Sequence, residues 1–240
     1  MTVEKAEPAP VRLSVTSLSP GLLYDGRREM SYAKPLWRGW MHLLWFAMSL
    51  VTGPLLVVST NGPARLTAAA IYASTVSGLF GTSALYHRGN WSSTWSRRLQ
   101  RLDHTMIFFL IAGTATPAFL VAAPGGYGLT CLIVLWTLTL TATTVHLAWM
   151  HAPEKLVGAT FLLLGWMACL ALPPIWAHDG VAPAVLIIGG GLLYTIGAIS
   201  YHRRSPDPNP RVFGYHEVFH AYVCAAATLH FLAIALFILR

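Results

Sequence analysis

The sequence predicts an all-α, polytopic membrane protein, a bundle of seven transmembrane helices. Three observations carry that prediction. Of 240 residues, 55% are hydrophobic and only 10% are charged, whereas soluble domains run at roughly a quarter charged; too few charges remain to cover a water-facing surface. Seven apolar stretches approach the roughly 20 residues a helix needs to cross about 30 Å of hydrocarbon. The basic residues lie between those stretches, crowded into every second connection.

Residues 1–34 are a polar, proline-punctuated stretch, expected to be a mobile cytoplasmic tail. It holds no apolar core of roughly 7–15 residues ahead of a small-residue cleavage site, so no removable signal peptide is expected. The membrane domain then occupies residues 35–240. Its spans are expected at about Leu36–Ser59, Leu66–His87, Asp103–Ala122, Leu129–Trp149, Leu156–Ile175, Ala182–Tyr201 and His216–Leu239. The connections carry helix breakers: Asn61-Gly-Pro, Pro124-Gly-Gly, His151-Ala-Pro, His178-Asp-Gly and Ser205-Pro-Asp-Pro-Asn-Pro.

Orientation follows from the 16 basic residues. Six lie in the stretch ending at Arg38. The connection after the second span holds Arg88, Arg97, Arg98 and Arg101, the next on that side holds Lys155, and the last holds Arg203, Arg204 and Arg211. Only Arg65 and Arg240 fall on the other side. The positive-inside rule therefore puts the N-terminus in the cytoplasm and the C-terminus outside, in a multi-pass protein of the cell membrane. The net charge of +7 is distributed by topology rather than along one face, which excludes a nucleic-acid partner.

Polar side chains are costly inside a membrane, so those that persist mark function. The second span ends in Ser83-Ala-Leu-Tyr-His87, the third opens on Asp103-His104, and the last opens on His216 and His220. Spacings of four put Ser83 with His87, and His216 with His220, on single helix faces. By the topology, all five residues reach one depth in the cytoplasmic leaflet. Three imidazoles with a carboxylate beside them are what a catalytic zinc site requires. His87, His216 and His220 are the expected ligands. Asp103 is the expected acceptor of a water's proton, and Ser83 the expected hydrogen-bond donor to the site.

His216-Glu217-Val218-Phe219-His220 also spells the H-E-x-x-H signature of zinc proteases. That class needs a third ligand further along, yet no Asp or Glu follows Glu217. His230 lies ten residues beyond His220, about 15 Å along a helix. A protease would have to recruit Asp103, so His87 is the more economical third ligand. Cys131, Cys169 and Cys224 fall inside apolar spans and form no disulfide framework; Cys224 is kept as a minor candidate ligand. His42 and His230 are expected to hydrogen-bond across helices, and His104, His146, His151, His178 and His202 to sit at helix ends or loops. The Gly189-Gly-Gly191 run suits close helix packing, and Trp37, Trp40, Trp45, Trp91 and Trp95 suit an interfacial aromatic belt.

Ser-Ala-Leu-Tyr-His at 83–87, Leu-Asp-His-Thr at 102–105 with Ile-Ala-Gly-Thr-Ala-Thr-Pro at 111–117, and Gly-Tyr-His-Glu-Val-Phe-His at 214–220 with Leu-His-Phe at 229–231 resemble the hemolysin III family. That family is the bacterial branch of the progestin and adiponectin receptor superfamily, itself related to alkaline ceramidases. The resemblance runs from about residue 34 to the end. It implies seven helices around a zinc ion near the cytoplasmic face, ligated at positions matching His87, His216 and His220, with Asp103 reaching zinc through water and Ser83 nearby. Relatives can carry Gln where Glu217 stands, so Glu217 reads as a solvated or headgroup-facing side chain rather than a required one. Many relatives also carry an acidic residue, an Asn and a Thr-His pair where the first helix begins. Here Arg38-Gly-Trp-Met-His42 keeps only the histidine.

Two function classes follow. One is a zinc-dependent hydrolase of a lipid amide or ester bond, with a membrane lipid as substrate. The other is a non-enzymatic sensor, or a cytolytic protein of the hemolysin type, with structural zinc. The topology yields a direct expectation. Alkaline phosphatase fused after Arg240 is active in bacterial cells, and the same reporter inserted between Arg204 and Arg211 is inactive; the reversed pattern refutes the orientation.

Overall fold

The computed structural model describes residues 22–25, 30–123, 125–149 and 152–240. Among them are seven helices long and apolar enough to cross a membrane: α1 (Trp40–Ser59), α2 (Pro63–Arg88), α3 (Ser93–Ala122), α4 (Gly125–Ala148), α5 (Glu154–Asp179), α6 (Val181–Arg203) and α7 (Tyr215–Ile238).

Helix boundaries have local causes. Gly39, at φ 79°, turns the chain into α1 through the left-handed region that glycine enters without a Cβ penalty. Pro63 sits in the first turn of α2, where its missing N–H leaves no bond unmade. Ser92 caps α3, its hydroxyl accepting the Trp95 N–H at 3.5 Å. That cap starts α3 at Ser93 rather than at Asp103, because a capped polar turn extends the helix beyond its apolar part. In α5 a 3-10 segment at Met167–Ala171 precedes Pro173 and Pro174, which have no N–H to donate one turn back. Single π turns close α3 at Ala118–Ala122 and α7 at Ile234–Ile238.

Part of the stretch read as a polar tail carries two short strands. Strands β1 (Leu22–Asp25) and β2 (Met30–Ala33) pair antiparallel, Leu22 opposite Ala33 and Asp25 opposite Met30. The sequence signal is the pair of short runs Leu-Leu-Tyr at 22–24 and Met-Ser-Tyr at 30–32. The expectation for residues 1–21 lies outside the described residues.

Packing is pairwise between sequence neighbours, α1 with α2, α2 with α3 and α6 with α7, and α7 closes back on α1. The inward stripe of α1 is His42, Trp45, Ser49, Gly53 and Leu56, a spacing of three and four that gives one buried helix face. Tyr72, Phe80, Phe108 and Phe119 fill the centre from α2 and α3. Leu44, Val51, Leu55 and Val58 of α1 and Leu163 of α5 face outward, as a hydrocarbon solvent requires. Trp37, Trp40, Trp91 and Trp95 are exposed near one end of the bundle, in keeping with a belt. Trp45 is not part of it. Three residues after His42 it shares the inward stripe, and it stacks on Phe80 with centroids 5.0 Å apart.

The Gly189-Gly-Gly191 run does serve helix packing. A Cβ on Gly190 would run into the His230 ring of α7, and one on Gly189 would lie 3.2 Å from Leu229 Cδ1. Gly190→Ala is therefore expected to destabilise the protein by about 1–3 kcal/mol, the usual range for overpacking, seen as a lower thermal midpoint of the detergent-solubilised chain. An unchanged midpoint would show that the two helices separate at no cost.

Candidate metal centre

One end of the bundle gathers the C-terminal turn of α2, the early part of α3 and the first turns of α7. The connecting backbone holds these ends together. Leu36 and Trp37 N–H groups donate to the carbonyls of Arg211 and Val212, both at 3.1 Å, and Lys34 Nζ donates to the Gly89 carbonyl at 3.2 Å. Burial, and then the charges of Arg88 and Arg38, hold the Lys34 ammonium below the usual lysine range. Arg88 is also stacked over Trp40 at 4.1 Å.

Within this frame His87, His216 and His220 each present a ring nitrogen, and these ligand atoms all lie within 4.8 Å of one another. His87 Nε2 and His216 Nε2 are 3.2 Å apart. The rings meet edge to face, with centroids 4.6 to 4.9 Å apart. Asp103 Oδ2 lies 3.7 Å from His87 Nε2. His220 Nδ1 is buried without a hydrogen-bond partner. Buried polar atoms rarely go unpaired, and three converging imidazoles offer more lone pairs than a single shared proton can satisfy. A divalent cation would take up the converging lone pairs, and three nitrogen ligands with an open fourth position match zinc's catalytic preference. The residues therefore fit a metal, and Cys224 is not among the group.

His42 stands closer to this centre than its sequence context suggests. Its Nδ1 is 2.8 Å from the Ser83 hydroxyl, and its ring stacks on His220 at 3.8 Å and 10°. Phe80 meets it edge-on at 5.0 Å. His42 thus links α1 to α2 and forms a wall behind a candidate ligand. The sequence signal is its place at the same end as the other histidines. His230 bonds across helices too, with Nε2 3.1 Å from the Ile187 carbonyl of α6.

Glu217 overturns its expected place as a solvated side chain. It is fully buried. One carboxylate oxygen pairs with Arg38 Nε, and the other accepts the Gly214 N–H at 2.9 Å, capping α7. The residue that makes the motif look like a protease has both oxygens engaged in structure, so it is not poised as a general base. Of the remaining histidines, His178 and His202 lie in the last turns of α5 and α6. His104 faces His146 across α3 and α4, with ring centroids 5.9 Å apart, and His151 lies outside the described residues.

Fold and site together define a class, a polytopic helical membrane protein that buries at one end a three-histidine group able to hold a metal. The chain belongs to the haemolysin-III family, whose model, described as haemolysin-III related, matches residues 30–231. It is similar to Hemolysin-3 of Bacillus cereus, 26% identical over 190 residues that make up 77% of this chain and 84% of that protein. A Hemolysin-3 homolog of Bacillus subtilis is 28% identical over 142 residues, 59% of this chain and 64% of the relative. The human monocyte to macrophage differentiation factor is 24% identical over 175 residues, 71% and 70% of the two chains. These relatives place the family within the progestin and adiponectin receptor superfamily and make this a multi-pass protein of the cell membrane.

Proposed function

We propose that this protein is a zinc-dependent hydrolase of an amide or ester bond in a membrane lipid, with its site in the cytoplasmic leaflet. The observation that carries the reading is the convergence of His87, His216 and His220 within 4.8 Å, with the Asp103 carboxylate 3.7 Å from His87. A metal with a carboxylate next to its ligands is the arrangement of hydrolytic catalysis.

His87, His216 and His220 hold the ion. When bound, it supplies Lewis-acid polarisation of a carbonyl and acidification of a water. Asp103 accepts the water's proton at its carboxylate and returns it to the leaving group. Ser83, buried at the same end, is the residue assigned to hold the carboxylate toward the histidines. His42 in turn fixes the Ser83 hydroxyl through its 2.8 Å contact. The depth of the site suits a lipid whose acyl linkage lies just below its headgroup, and the exposed Trp37, Trp40, Trp91 and Trp95 mark that level.

A second reading is a non-enzymatic membrane protein with structural zinc, either a sensor or a cytolytic factor. The names of the relatives, a hemolysin and a differentiation factor, support it. Against a pore, the buried charged residues Arg38, Asp103 and Glu217 all belong to one end of the bundle rather than to a stripe across it.

Metal analysis of the detergent-purified protein is expected to find one zinc per chain in the wild type and loss of zinc in His87→Ala and His220→Ala. Retention of stoichiometric zinc by both variants sinks the ligand assignment. Hydrolysis assays over ceramides and other acylated lipids are expected to show turnover that falls at least about a hundredfold in Asp103→Ala, the scale of a lost general base. Zinc-loaded wild type that cleaves no lipid selects the structural-zinc reading.

A further inference from the structure

We propose that Arg38 and Glu217 are a positioning pair for the metal centre: a buried ion pair, itself outside the ligand set, that sets the first turn of α7 so that His216 and His220 converge on His87. The proposal rests on the metal-centre reading above and concerns how that centre is built.

Glu217 lies between the two α7 histidines in sequence and is wholly inaccessible to solvent. Its two oxygens tie that turn in two directions. One accepts the Gly214 N–H at 2.9 Å, which fixes where the helix begins. The other meets Arg38, buried to 6% exposure, which fixes how the helix is rotated against the segment before α1. A cap alone sets the axial start of a helix; a long-range charge pair adds the azimuth.

The segment around Arg38 reaches all three histidines. Gly39 packs on the end of α2 so closely that a Cβ there would lie 2.8 Å from His87 Cβ and 3.3 Å from Arg88 Cγ. His42, one helical turn after Arg38, stacks on His220 at 3.8 Å. Glu217 carries the constraint to His216, its neighbour in sequence. Leu36 and Trp37, bonded to Arg211 and Val212, hold the segment against the connection that leads into α7. Arg38 is thus the point at which α1, α2 and α7 are brought into register around a space a few ångströms wide.

Charge suits this task better than apolar packing. Apolar residues of similar volume would often be as stable or more so, but they slide and rotate without a sharp minimum. A guanidinium on a carboxylate has a defined direction and separation. Residues that orient metal ligands from outside the ligand set typically change metal affinity by about 10- to 100-fold when altered.

The test uses the full-length chain in detergent, with Zn2+ affinity measured by chelator competition and the ligand-field spectrum of the Co2+-substituted protein reporting coordination geometry. Glu217→Gln and Arg38→Gln are expected to weaken Zn2+ binding at least about tenfold and to alter the Co2+ spectrum, with Arg38→Lys restoring part of both. Since either single change strands a buried partner, the double variant Arg38→Met/Glu217→Gln removes both charges and keeps an amide oxygen to accept the Gly214 N–H. It is expected to melt near the wild-type midpoint when metal-free and still to bind Zn2+ weakly. A folded double variant with wild-type affinity and spectrum overturns the proposal and leaves the pair a simple staple. Wild type that takes up no Zn2+, or takes it up equally well in His87→Ala, overturns the metal-centre reading itself, a result separable from the first.

Discussion

Three imidazoles, a carboxylate and an ion pair are buried together at one end of a bundle whose remaining surface faces hydrocarbon. That constraint organises everything near them. Water is not present in the membrane interior to satisfy such groups, so each must find a partner in the protein. Ser83 serves His42, Arg38 serves Glu217, and Gly214 supplies its N–H to the same carboxylate. Among the described residues of this cluster, His42 Nε2 and His220 Nδ1 are left buried without a hydrogen-bond partner, beside the convergent edges of the three rings. Buried imidazoles with unpaired nitrogens that converge on one space have the chemistry of a metal-binding site.

The backbone around this site is as specific as its side chains. The strip from Lys34 to Gly39 bonds to the connection before α7 and to the carbonyl that ends α2, and Gly39 brings it against His87. Histidines that converge from helices far apart in sequence need such a splint, since helix packing in lipid supplies no hydrophobic drive to seat them. The rest of the bundle shows the contrast. There, close contacts such as Gly190 against His230 hold helices together with few buried charges.

Motif matching can mislead when it is read without geometry. His216-Glu217-Val218-Phe219-His220 spells a protease signature, and its histidines do meet. The third member of their group is His87, supplied by α2. The glutamate between them turns away to Arg38 and Gly214. On a helix, positions i and i+4 share a face while i+1 points some 100° away, so the histidines and the glutamate are free to serve different neighbours.

Much of this was legible in the sequence because hydrocarbon imposes simple rules. Spans of about 20 apolar residues, breakers between them and rare ionisable residues at span ends sufficed to read seven helices and to single out Ser83, His87, Asp103, His216 and His220, since each rule acts on consecutive residues. The early start of α3, the strand pair before α1 and the inward turn of Trp45 went unread or misread, because caps, short strand runs and helix rotation weigh little against bulk hydropathy. The roles of Arg38, His42 and Glu217 were decided only by the tertiary structure. Their partners lie 41 to 179 residues away along the chain, and a charge that looks solvated in a one-dimensional reading becomes buried and paired once α1, α2 and α7 meet.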